Sequence, residues 1–399
     1  MTHHRPRHRS ANQGTILYGT TVGSSALNFL RGQLSHFQSL GWDVHIASNP
    51  DAEFKRAVLR EGVTGHGLPM SREISVLADV RSLVGWLKLL HQVRPETVNI
   101  GTPKAGLLGL FAAWSFRTPI RIYTVRGLRY QTEHGIKRRL LLNMERAAMY
   151  FATHAVAVSS SVRAEMIQDG IAIRPITVIG LGSSNGVDTS PHPSPHMRED
   201  IGLNPSSFVI GFVGRLTAAK GIDVLAEALQ LASGHIPNLT LLAIGATEDT
   251  EAQRQLEESG ITVSITGWVD DPLAYYNAID VLALPTLREG FPNVVLEAAI
   301  AHTPSITTQA TGAVDSVIPD ETGIIVPIGD PKALANALVK LSQDPVLRTD
   351  LGNNAYQWVT EHFQRKRVWA GLAALYENRA HSDNDTHFPP GNRHVQYAK

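Results

Sequence analysis

Residues 208–221, FVIGFVGRLTAAKG, contain the clearest strand–turn–helix pattern in the chain. An apolar run typical of a buried strand ends at Gly214, a short polar turn follows, and the segment Ile222–Ala232 has the 3.6-residue period of a helix. The first half of the chain begins similarly, with the strand-like segment Thr15–Thr20 followed by the helical segment Ala26–Leu40. A strand that turns directly into a helix predicts an α/β fold.

Strand-like and helix-like segments alternate throughout both halves. In the first half the predicted strands are Thr15–Thr20, Asp43–Ala47, Thr97–Ile100, Ile120–Thr124, Ala155–Val158 and Ile176–Ile179. In the second half they are Phe208–Val213, Leu239–Ile244, Val263–Thr266, Val281–Leu284, Ser305–Thr307 and Ile324–Val326. Further helices are predicted at Val76–Val93 and Pro331–Leu341. Such alternation predicts parallel sheets covered by helices on both faces, so two runs of it predict two doubly wound, Rossmann-like domains.

The boundary between the two runs is rich in proline. Residues 190–196 read SPHPSPH, which excludes a helix or a central strand. The predicted units are an N-terminal domain at 14–190, a linker at 191–197 and a C-terminal domain at 198–380, whose last helix could pack back on the N-terminal domain. The polar, aperiodic ends of the chain, 1–13 and 381–399, are predicted to be flexible tails.

The composition excludes several classes of protein. The chain has 399 residues, 43% of them hydrophobic and 18% charged, which is typical of globular domains. It has no cysteine, so disulfide scaffolds, zinc–thiolate sites, iron–sulfur sites and a cysteine nucleophile are excluded. The apolar run Ala105–Phe116 is shorter than the roughly 18–20 residues of a membrane span. No export signal precedes the first strand, and we therefore expect a cytoplasmic protein.

The net charge of zero conceals an asymmetry between the halves. Residues 1–190 contain 22 Lys and Arg against 12 Asp and Glu, whereas residues 191–399 contain 14 against 24. The basic half could face an anionic membrane surface, an anionic substrate or nucleic acid. Its densest basic segment, Arg121–Arg146, lacks the interleaved aromatic residues of a nucleic-acid platform. We therefore expect no nucleic acid and favour a membrane surface as the partner.

The turn after the strand Phe208–Val213 carries residues suited to a diphosphate. Ligands of such sheets bind beyond the carboxyl ends of the strands, where Gly214 would let the backbone approach closely. Arg215 can bind two phosphate oxygens at once, and Lys220 supplies a mobile positive charge. The alternative interpretation is a surface turn that happens to be basic.

A second motif, REGFPNVVLEA at Arg288–Ala298, follows the strand Val281–Leu284. Asn293 is predicted to be the N-cap of a helix, so that the amides of Gly290 and Phe291 would form an anion site beside it. Glutamates stand before and inside this helix, and a carboxylate can accept hydrogen bonds from two neighbouring sugar hydroxyls.

The spacing of these two glutamates, Glu289 and Glu297, proves little alone. Glu53 and Glu61 have the same spacing, and we interpret that second pair as solvated on a polar helix. What distinguishes Glu289 and Glu297 is their position after a strand end, glycine and proline.

Together these motifs resemble those of family-4 retaining glycosyltransferases of the GT-B fold. More narrowly, the chain is similar to the bacterial branch that makes capsular and lipid-linked polysaccharides. The resemblance covers about residues 14–378 and is carried by GRLTAAKG (Gly214–Gly221), TGWVDD (Thr266–Asp271), EGFPNVVLEA (Glu289–Ala298), GTPKAGLLG (Gly101–Gly109), YTVRGLRY (Tyr123–Tyr130) and SSNGVD (Ser183–Asp188). It implies two domains facing across a cleft, with a nucleotide-sugar donor on the C-terminal domain and a glycan acceptor, lipid-linked in this branch, on the N-terminal one.

The resemblance also implies roles for individual residues. Arg215 and Lys220 would bind the donor diphosphate, Glu289 the transferred sugar and Glu297 the ribose; Glu289, Arg215 and Lys220 are the predicted catalytic residues. The predicted donor-binding residues are Gly214, Gly245, Trp268, Val269, Gly290, Phe291, Pro292, Asn293 and Glu297. The predicted acceptor-side residues are Ser24, Lys104, Arg126 and Asn185. Ser24 and Lys104 are inferred from the residues themselves, since each follows a strand and begins a helix; an ordinary strand–helix turn and a solvated lysine stay open as alternatives.

One departure from the family pattern concerns the catalytic mechanism. The wider family often has His-Gly where this chain has Arg126-Gly127, so a catalytic histidine cannot be carried over. Arg126 would instead meet a phosphate or polarise a sugar hydroxyl. Without an evident nucleophile, we favour front-face attack in which the departing phosphate helps to deprotonate the acceptor.

We expect neither a metal nor another cofactor. The only Asp-x-Asp triplet, Asp383–Asp385, lies in the predicted C-terminal tail, and Arg215, Lys220 and a helix dipole could offset the diphosphate charge instead. Two other functions stay open: a sugar-nucleotide epimerase of the same fold, and a non-catalytic sugar-nucleotide-binding protein.

Overall fold

The computed structural model describes residues 13–73, 75–190 and 198–377. The linker predicted at 191–197 and the tail predicted at 381–399 lie outside these residues, as does the predicted first tail apart from Gln13. The described chain forms two parallel α/β domains, as predicted.

The N-terminal domain has a seven-stranded sheet in the order β3-β2-β1-β4-β5-β6-β7, and each pairing in it is parallel. Its strands are β1 (Thr15–Gly19), β2 (Asp43–Ser48), β3 (Thr64–Gly67), β4 (Thr97–Ile100), β5 (Ile120–Val125), β6 (His154–Ala157) and β7 (Ile176–Val178). Its helices are α1 (Gly23–Phe29), α2 (Gln33–Ser39), α3 (Ala52–Glu61), α4 (Val76–Val93), α5 (Pro103–Ser115), α6 (Gly135–Phe151) and α7 (Ser160–Gln168).

The C-terminal domain has a six-stranded parallel sheet in the order β10-β9-β8-β11-β12-β13. Its strands are β8 (Phe208–Val213), β9 (Leu239–Ile244), β10 (Thr262–Ile265), β11 (Val281–Ala283), β12 (Ser305–Thr308) and β13 (Gly323–Val326). Its helices, and those that follow, are α8 (Ile222–Ser233), α9 (Thr250–Glu257), α10 (Asn293–Ile300), α11 (Pro331–Gln343), α12 (Pro345–His362) and α13 (Arg365–Tyr376).

The strand order reverses beside β1 in one sheet and beside β8 in the other. At such a switch point the loops after neighbouring strands diverge to opposite faces, which leaves a crevice at the carboxyl edge. Side chains alternate across β1, so that Ile16 and Tyr18 pack on one face of the sheet and Leu17 on the other. Each crevice therefore lies at the carboxyl edge of a sheet.

The predicted helix Ala26–Leu40 is in fact two helices, α1 and α2. Gly32 separates them with φ at +76°, a left-handed conformation that glycine adopts without strain. The amides of Gly32 and Ser35 donate to the Glu61 carboxylate at 2.9 and 3.3 Å. The prediction that Glu61 is solvated is therefore wrong: the residue is 4% exposed and fixes this break.

The last helix, α13, lies on the N-terminal domain. Tyr376 is buried there, where its hydroxyl lies 2.9 Å from that of Tyr18 and accepts a hydrogen bond from Asn99 at 2.7 Å. The chain leaves the N-terminal domain after Val187 and returns to it after Phe363. These two passages are adjacent, because Val187 N donates to Phe363 O at 2.8 Å. A Cβ on Gly186 would lie 2.6 Å from that same oxygen, so only glycine permits this approach. The two domains are thus joined by two adjacent passages of the chain.

Candidate functional site

The strand ends of the C-terminal domain meet closely at the predicted donor site. β8 leads into Gly214 and β9 into Gly245, both at positive φ, and a Cβ on Gly245 would lie 2.0 Å from the Gly214 carbonyl oxygen. The Gly245 amide donates to Gly267 O at 3.0 Å, which brings in the segment after β10. A side chain at Gly245 would force these loops apart, so the glycine is what lets backbone line the crevice.

The predicted diphosphate-binding cations are ion-paired. Lys220 Nζ pairs with Glu289 Oε1, which joins the two motifs identified in the sequence. Arg215 Nη1 lies 2.5 Å from Glu248 Oε2, and both of these side chains are about half exposed. The structure therefore brings Lys220 to Glu289 but gives Arg215 a partner, Glu248, that the sequence analysis did not identify.

The loop that carries Glu289 touches the opposite domain. A Cβ on Gly290 would lie 2.2 Å from the carbonyl oxygen of Arg126, and one on Gly127 would lie 3.4 Å from the Gly290 amide nitrogen. The Glu289 amide donates to Thr311 O at 2.9 Å, so the loop is also held by its own domain. Glycines on both sides thus let the REGFP motif and the Arg126-Gly127 pair meet across the cleft.

Asn293 does not cap its helix. It is the first residue of α10, and no side chain caps that helix at Pro292. Its Oδ1 instead accepts a hydrogen bond from Ser183 Oγ of the N-terminal domain at 2.9 Å. Phe291 is buried against Phe363, with ring centroids 5.4 Å apart. The N-cap prediction is wrong, because Asn293 binds across the domain boundary.

Glu297 lies on α10 and is hydrogen-bonded to a tyrosine of its own domain. Its Oε2 accepts a hydrogen bond from the Tyr276 hydroxyl at 3.0 Å. Burial raises the pKa of Glu297, while this hydrogen bond and the positive charges of Arg31 and Arg365 act to lower it. Tyr276 belongs to no motif of the sequence, so its role beside Glu297 could be found only from the structure.

Trp268, predicted to flank the nucleotide base, is 40% exposed and is covered from the N-terminal domain. The Arg56 guanidinium on α3 lies 4.2 Å from the centroid of a Trp268 ring and 3.6 Å from an Asp270 oxygen. Val269, by contrast, packs against the C-terminal core. The segment TGWVDD thus contributes the exposed ring of Trp268 to the cleft and Asp270 as an ion-pair partner of Arg56.

Arg126 lines a small cavity under α13, whose walls are half polar and half apolar. Its Nε is buried and has no hydrogen-bond partner among the described residues. Asn99, Thr124 and Ser183 line the same cavity. A Cβ on Gly101 would overlap the guanidinium, and burial lowers the pKa of Arg126 to about 10. The side chain is thus directed into the N-terminal domain, while its carbonyl faces Gly290.

The other predicted acceptor-side residues have partners in the fold. Lys104 is buried, with Nζ 2.7 Å from Asp79 Oδ1 of α4. Asn185 is buried, and its Oδ1 accepts from the indole of Trp369 on α13 at 2.7 Å. Ser24 Oγ lies 3.4 Å from the Arg72 guanidinium at the cleft. Lys104 and Asn185 are therefore held by partners within the fold.

Polar contacts that close the cleft could not be predicted from the sequence. Ser161 at the start of α7 donates its amide to Asp315 Oδ2 at 3.1 Å, and its hydroxyl accepts from the Gly312 amide at 2.7 Å. Gln131 Nε2 donates to Thr311 Oγ1 at 2.8 Å. These polar side chains belong to no local pattern, because each partner comes from the other domain.

Three further arginines at the cleft were also missed: Arg72, Arg129 and Arg288. Arg129 and Arg288 belong to the motifs YTVRGLRY and REGFP, and this membership could have identified them as site residues. Arg72 stands in the segment between β3 and α4, which carries no motif.

The described ranges contain no group of three or more His, Asp or Glu side chains placed to hold a metal ion. Asp383–Asp385 lies outside them. Metal independence stays a prediction.

Comparisons with known proteins agree with this geometry. Residues 28–182 match the family described as glycosyl transferase 4-like domain, and residues 207–344 match that described as glycosyl transferases group 1. The chain is 37% identical over 369 residues to the capsular polysaccharide biosynthesis glycosyltransferase CapM of Staphylococcus aureus, covering 90% of this chain and 96% of the relative. It is 27% identical to the UDP-Gal:alpha-D-GlcNAc-diphosphoundecaprenol alpha-1,3-galactosyltransferase of Escherichia coli, covering 70% of this chain and 74% of that protein.

Solved structures share the two-domain fold. Anabaena HepE in complex with UDP and glucose superposes with a TM-score of 0.77 at 20% identity, over 92% of this chain and all of that one. Sucrose-phosphate synthase from Thermosynechococcus elongatus gives a TM-score of 0.76 at 21% identity, with the same coverage.

Proposed function

The chain belongs to the family-4 glycosyltransferases of the GT-B fold and acts in polysaccharide biosynthesis, and from this premise we propose a specific reaction. A sugar passes from a nucleoside-diphosphate donor to a lipid-linked glycan acceptor, with retention of anomeric configuration and without a metal. The nucleotide of the solved Anabaena protein and of the donor in the name of the Escherichia coli relative is UDP, which makes UDP our first choice.

The contact between Lys220 and Glu289 carries this proposal. Lys220 and Glu289 are paired where the Gly290 loop meets the N-terminal domain, and in this proposal Lys220 serves the leaving diphosphate and Glu289 the sugar hydroxyls. As the bond from the anomeric carbon to the β-phosphate oxygen breaks, Lys220 and Arg215 offset the charge on the phosphate. The acceptor oxygen attacks from the same face, and its proton passes to the departing phosphate. Closure of the cleft excludes water and so limits hydrolysis.

An assay of nucleoside diphosphate release tests the reaction. We expect the protein, given UDP-sugars and a polyprenyl-diphosphate-linked sugar, to release UDP only when both substrates are present. Interconversion of free UDP-sugars without acceptor would favour an epimerase. Donor binding without turnover on any lipid-linked acceptor would favour a binding protein.

Activity is expected to survive chelation. The charge of the diphosphate would be offset by Arg215 and Lys220, so the reaction needs no divalent ion. The measurement is the initial rate with excess EDTA against an untreated sample. A rate that is lost in EDTA and recovered with magnesium or manganese would contradict the metal-free proposal.

We also propose that the N-terminal domain binds the cytoplasmic face of the membrane. In the first turns of α6, Lys137 and Arg138 are ion-paired with Glu133 and Asp169, and the side chains of Lys137 and Arg139 are exposed. Exposed apolar side chains accompany these charges. They include Ile136 at 86% and Leu140 on α6, and Leu77 at 86% and Val80 on α4. No helix in the described part of the chain is long and apolar enough to cross a bilayer.

Vesicle co-sedimentation at low and high salt tests this attachment. Wild type is expected to bind anionic vesicles more strongly than neutral ones, and salt should weaken that binding. The triple change of Lys137, Arg138 and Arg139 to Ser should remove the preference for anionic lipid. Changing Leu77 and Ile136 to Ser should weaken binding to both lipids, because it removes apolar contact. Binding unaffected by either set of changes would rule out this surface.

A further inference from the structure

Three arginines from the two domains gather at the mouth of the cleft. Arg129 Nη1 donates to the Arg72 carbonyl oxygen at 3.1 Å, and Arg72 Nη2 lies 3.4 Å from Ser24 Oγ. From the opposite domain, Arg288 Nε donates to Thr132 Oγ1 at 3.0 Å. Backbone and hydroxyl oxygens, all neutral, thus hold the three side chains in place.

The cluster has an excess of positive charge. Within residues 13–73, 75–190 and 198–377, none of Arg72, Arg129 and Arg288 has a carboxylate within ion-pair distance, whereas Arg215 and Lys220 each have one. Burial lowers the pKa of Arg288, and the nearby charges of Arg129 and Arg215 lower it further, whereas Glu289 and Glu133 act to raise it. Burial also lowers the pKa of Arg72; Arg215 and Arg129 lower it further, and Glu248 and Glu53 act to raise it. Like charges held this close are stabilised by a polyanion between them.

The donor diphosphate does not account for this charge. Its two phosphates are matched by Arg215 and Lys220, and a neutral acceptor sugar would need no guanidinium groups. We propose that Arg72, Arg129 and Arg288 bind a second diphosphate, that of an isoprenoid-diphosphate acceptor. This inference rests on the proposed function, and it adds the acceptor's diphosphate as a group that arginines from both sides of the cleft recognise.

The surroundings favour a lipid-linked diphosphate over a free one. Arg72 stands four residues before α4 and Arg129 six before α6, the helices whose first turns carry the exposed Leu77 and Ile136. An isoprenoid chain leaving the arginines can therefore lie on apolar surface. Arg288 also directly precedes Glu289, so only a short glycan fits between the bound diphosphate and the hydroxyl that receives the sugar.

Isothermal titration with farnesyl diphosphate tests the site on the full-length protein, first saturated with UDP so that the donor site is filled. Arg72→Gln, Arg129→Gln and Arg288→Gln are each expected to weaken farnesyl diphosphate about tenfold or more, and to change UDP affinity less than about twofold. Arg163→Gln removes an exposed arginine on α7 and should change neither. Unchanged UDP affinity also shows that a variant is folded.

The outcomes separate the possibilities. Farnesyl diphosphate binding that is equal in wild type and in a variant with Arg72, Arg129 and Arg288 all changed to Gln would overturn the proposal. So would a loss of UDP affinity as large as the loss for farnesyl diphosphate, because the arginines would then belong to the donor site. Inorganic pyrophosphate that binds as tightly as farnesyl diphosphate would overturn the lipid source. If UDP itself does not bind, the proposed function fails. Titration of the nucleotide-free protein then still measures how the arginine variants change farnesyl diphosphate affinity.

Discussion

Replacing Glu289 with glutamine is expected to lower kcat by about 100- to 1000-fold, the usual effect of removing one electrostatic group that acts on a transition state. The carboxylate is 12% exposed, is held by Lys220 and stands on a loop fixed from both domains, so water cannot easily replace it. Glutamine preserves the shape but not the charge that would stabilise the oxocarbenium-like sugar. The measurement is the rate of acceptor-dependent nucleoside diphosphate release.

Nucleoside diphosphate affinity should stay within about twofold in the Glu289→Gln variant, since the change releases Lys220 toward the phosphates. Glu321→Gln, on an exposed loop of the same domain, is the matched control and should leave both quantities unchanged. If Glu289→Gln keeps near wild-type turnover, or weakens the nucleotide as much as it slows the reaction, Glu289 does not act on the sugar.

The second large effect is expected at the donor diphosphate. Arg215→Ala and Lys220→Ala should each weaken nucleoside diphosphate binding by roughly 10- to 150-fold, because each removes charge-assisted hydrogen bonds of about 1.5–3 kcal/mol. Isothermal titration with UDP measures this directly.

Glu248 supplies the control for Arg215. The two side chains are paired at 2.5 Å, so Arg215 must leave Glu248, or share it, when it binds phosphate. Glu248→Gln removes that competitor and is expected to leave UDP affinity equal or higher. Wild-type affinity in both alanine variants, or a large loss in Glu248→Gln, would contradict the assignment.

The strands were predictable because most of them are buried on both faces. A parallel strand such as β8 or β9 must be apolar throughout, which produces a run that stands out from its surroundings. β3 was missed because its sequence, Thr-Gly-His-Gly, has no apolar run; it is held at the sheet edge by backbone pairing with β2 and by the contact of His66 with His45. The break between α1 and α2 was missed because Glu61, which stabilises it, lies 29 residues from Gly32.

The candidate site also contains residues that could be predicted from the sequence and residues that could not. Glu289 and Lys220 were predicted as site residues from short motifs, since the backbone at a strand end places such residues locally. Glu248 beside Arg215, Tyr276 beside Glu297 and Ser183 bonded to Asn293 were not predicted. Each of these contacts joins segments that only the tertiary structure brings together. Motifs therefore identify the residues of a site more readily than the partners that set their charge and orientation.

The two adjacent passages of the chain also determine how the domains can move. Val187 N donates to Phe363 O, and Arg365 N donates to Val187 O at 3.3 Å, so the passages are hydrogen-bonded side by side. Twisting one domain about the other would break these bonds, whereas bending across them breaks neither. A single tether leaves three rotational degrees of freedom, and this pair leaves mainly one. We therefore expect the cleft to open and close mainly along one path, which would return Gly290 to the same place beside Arg126 each time.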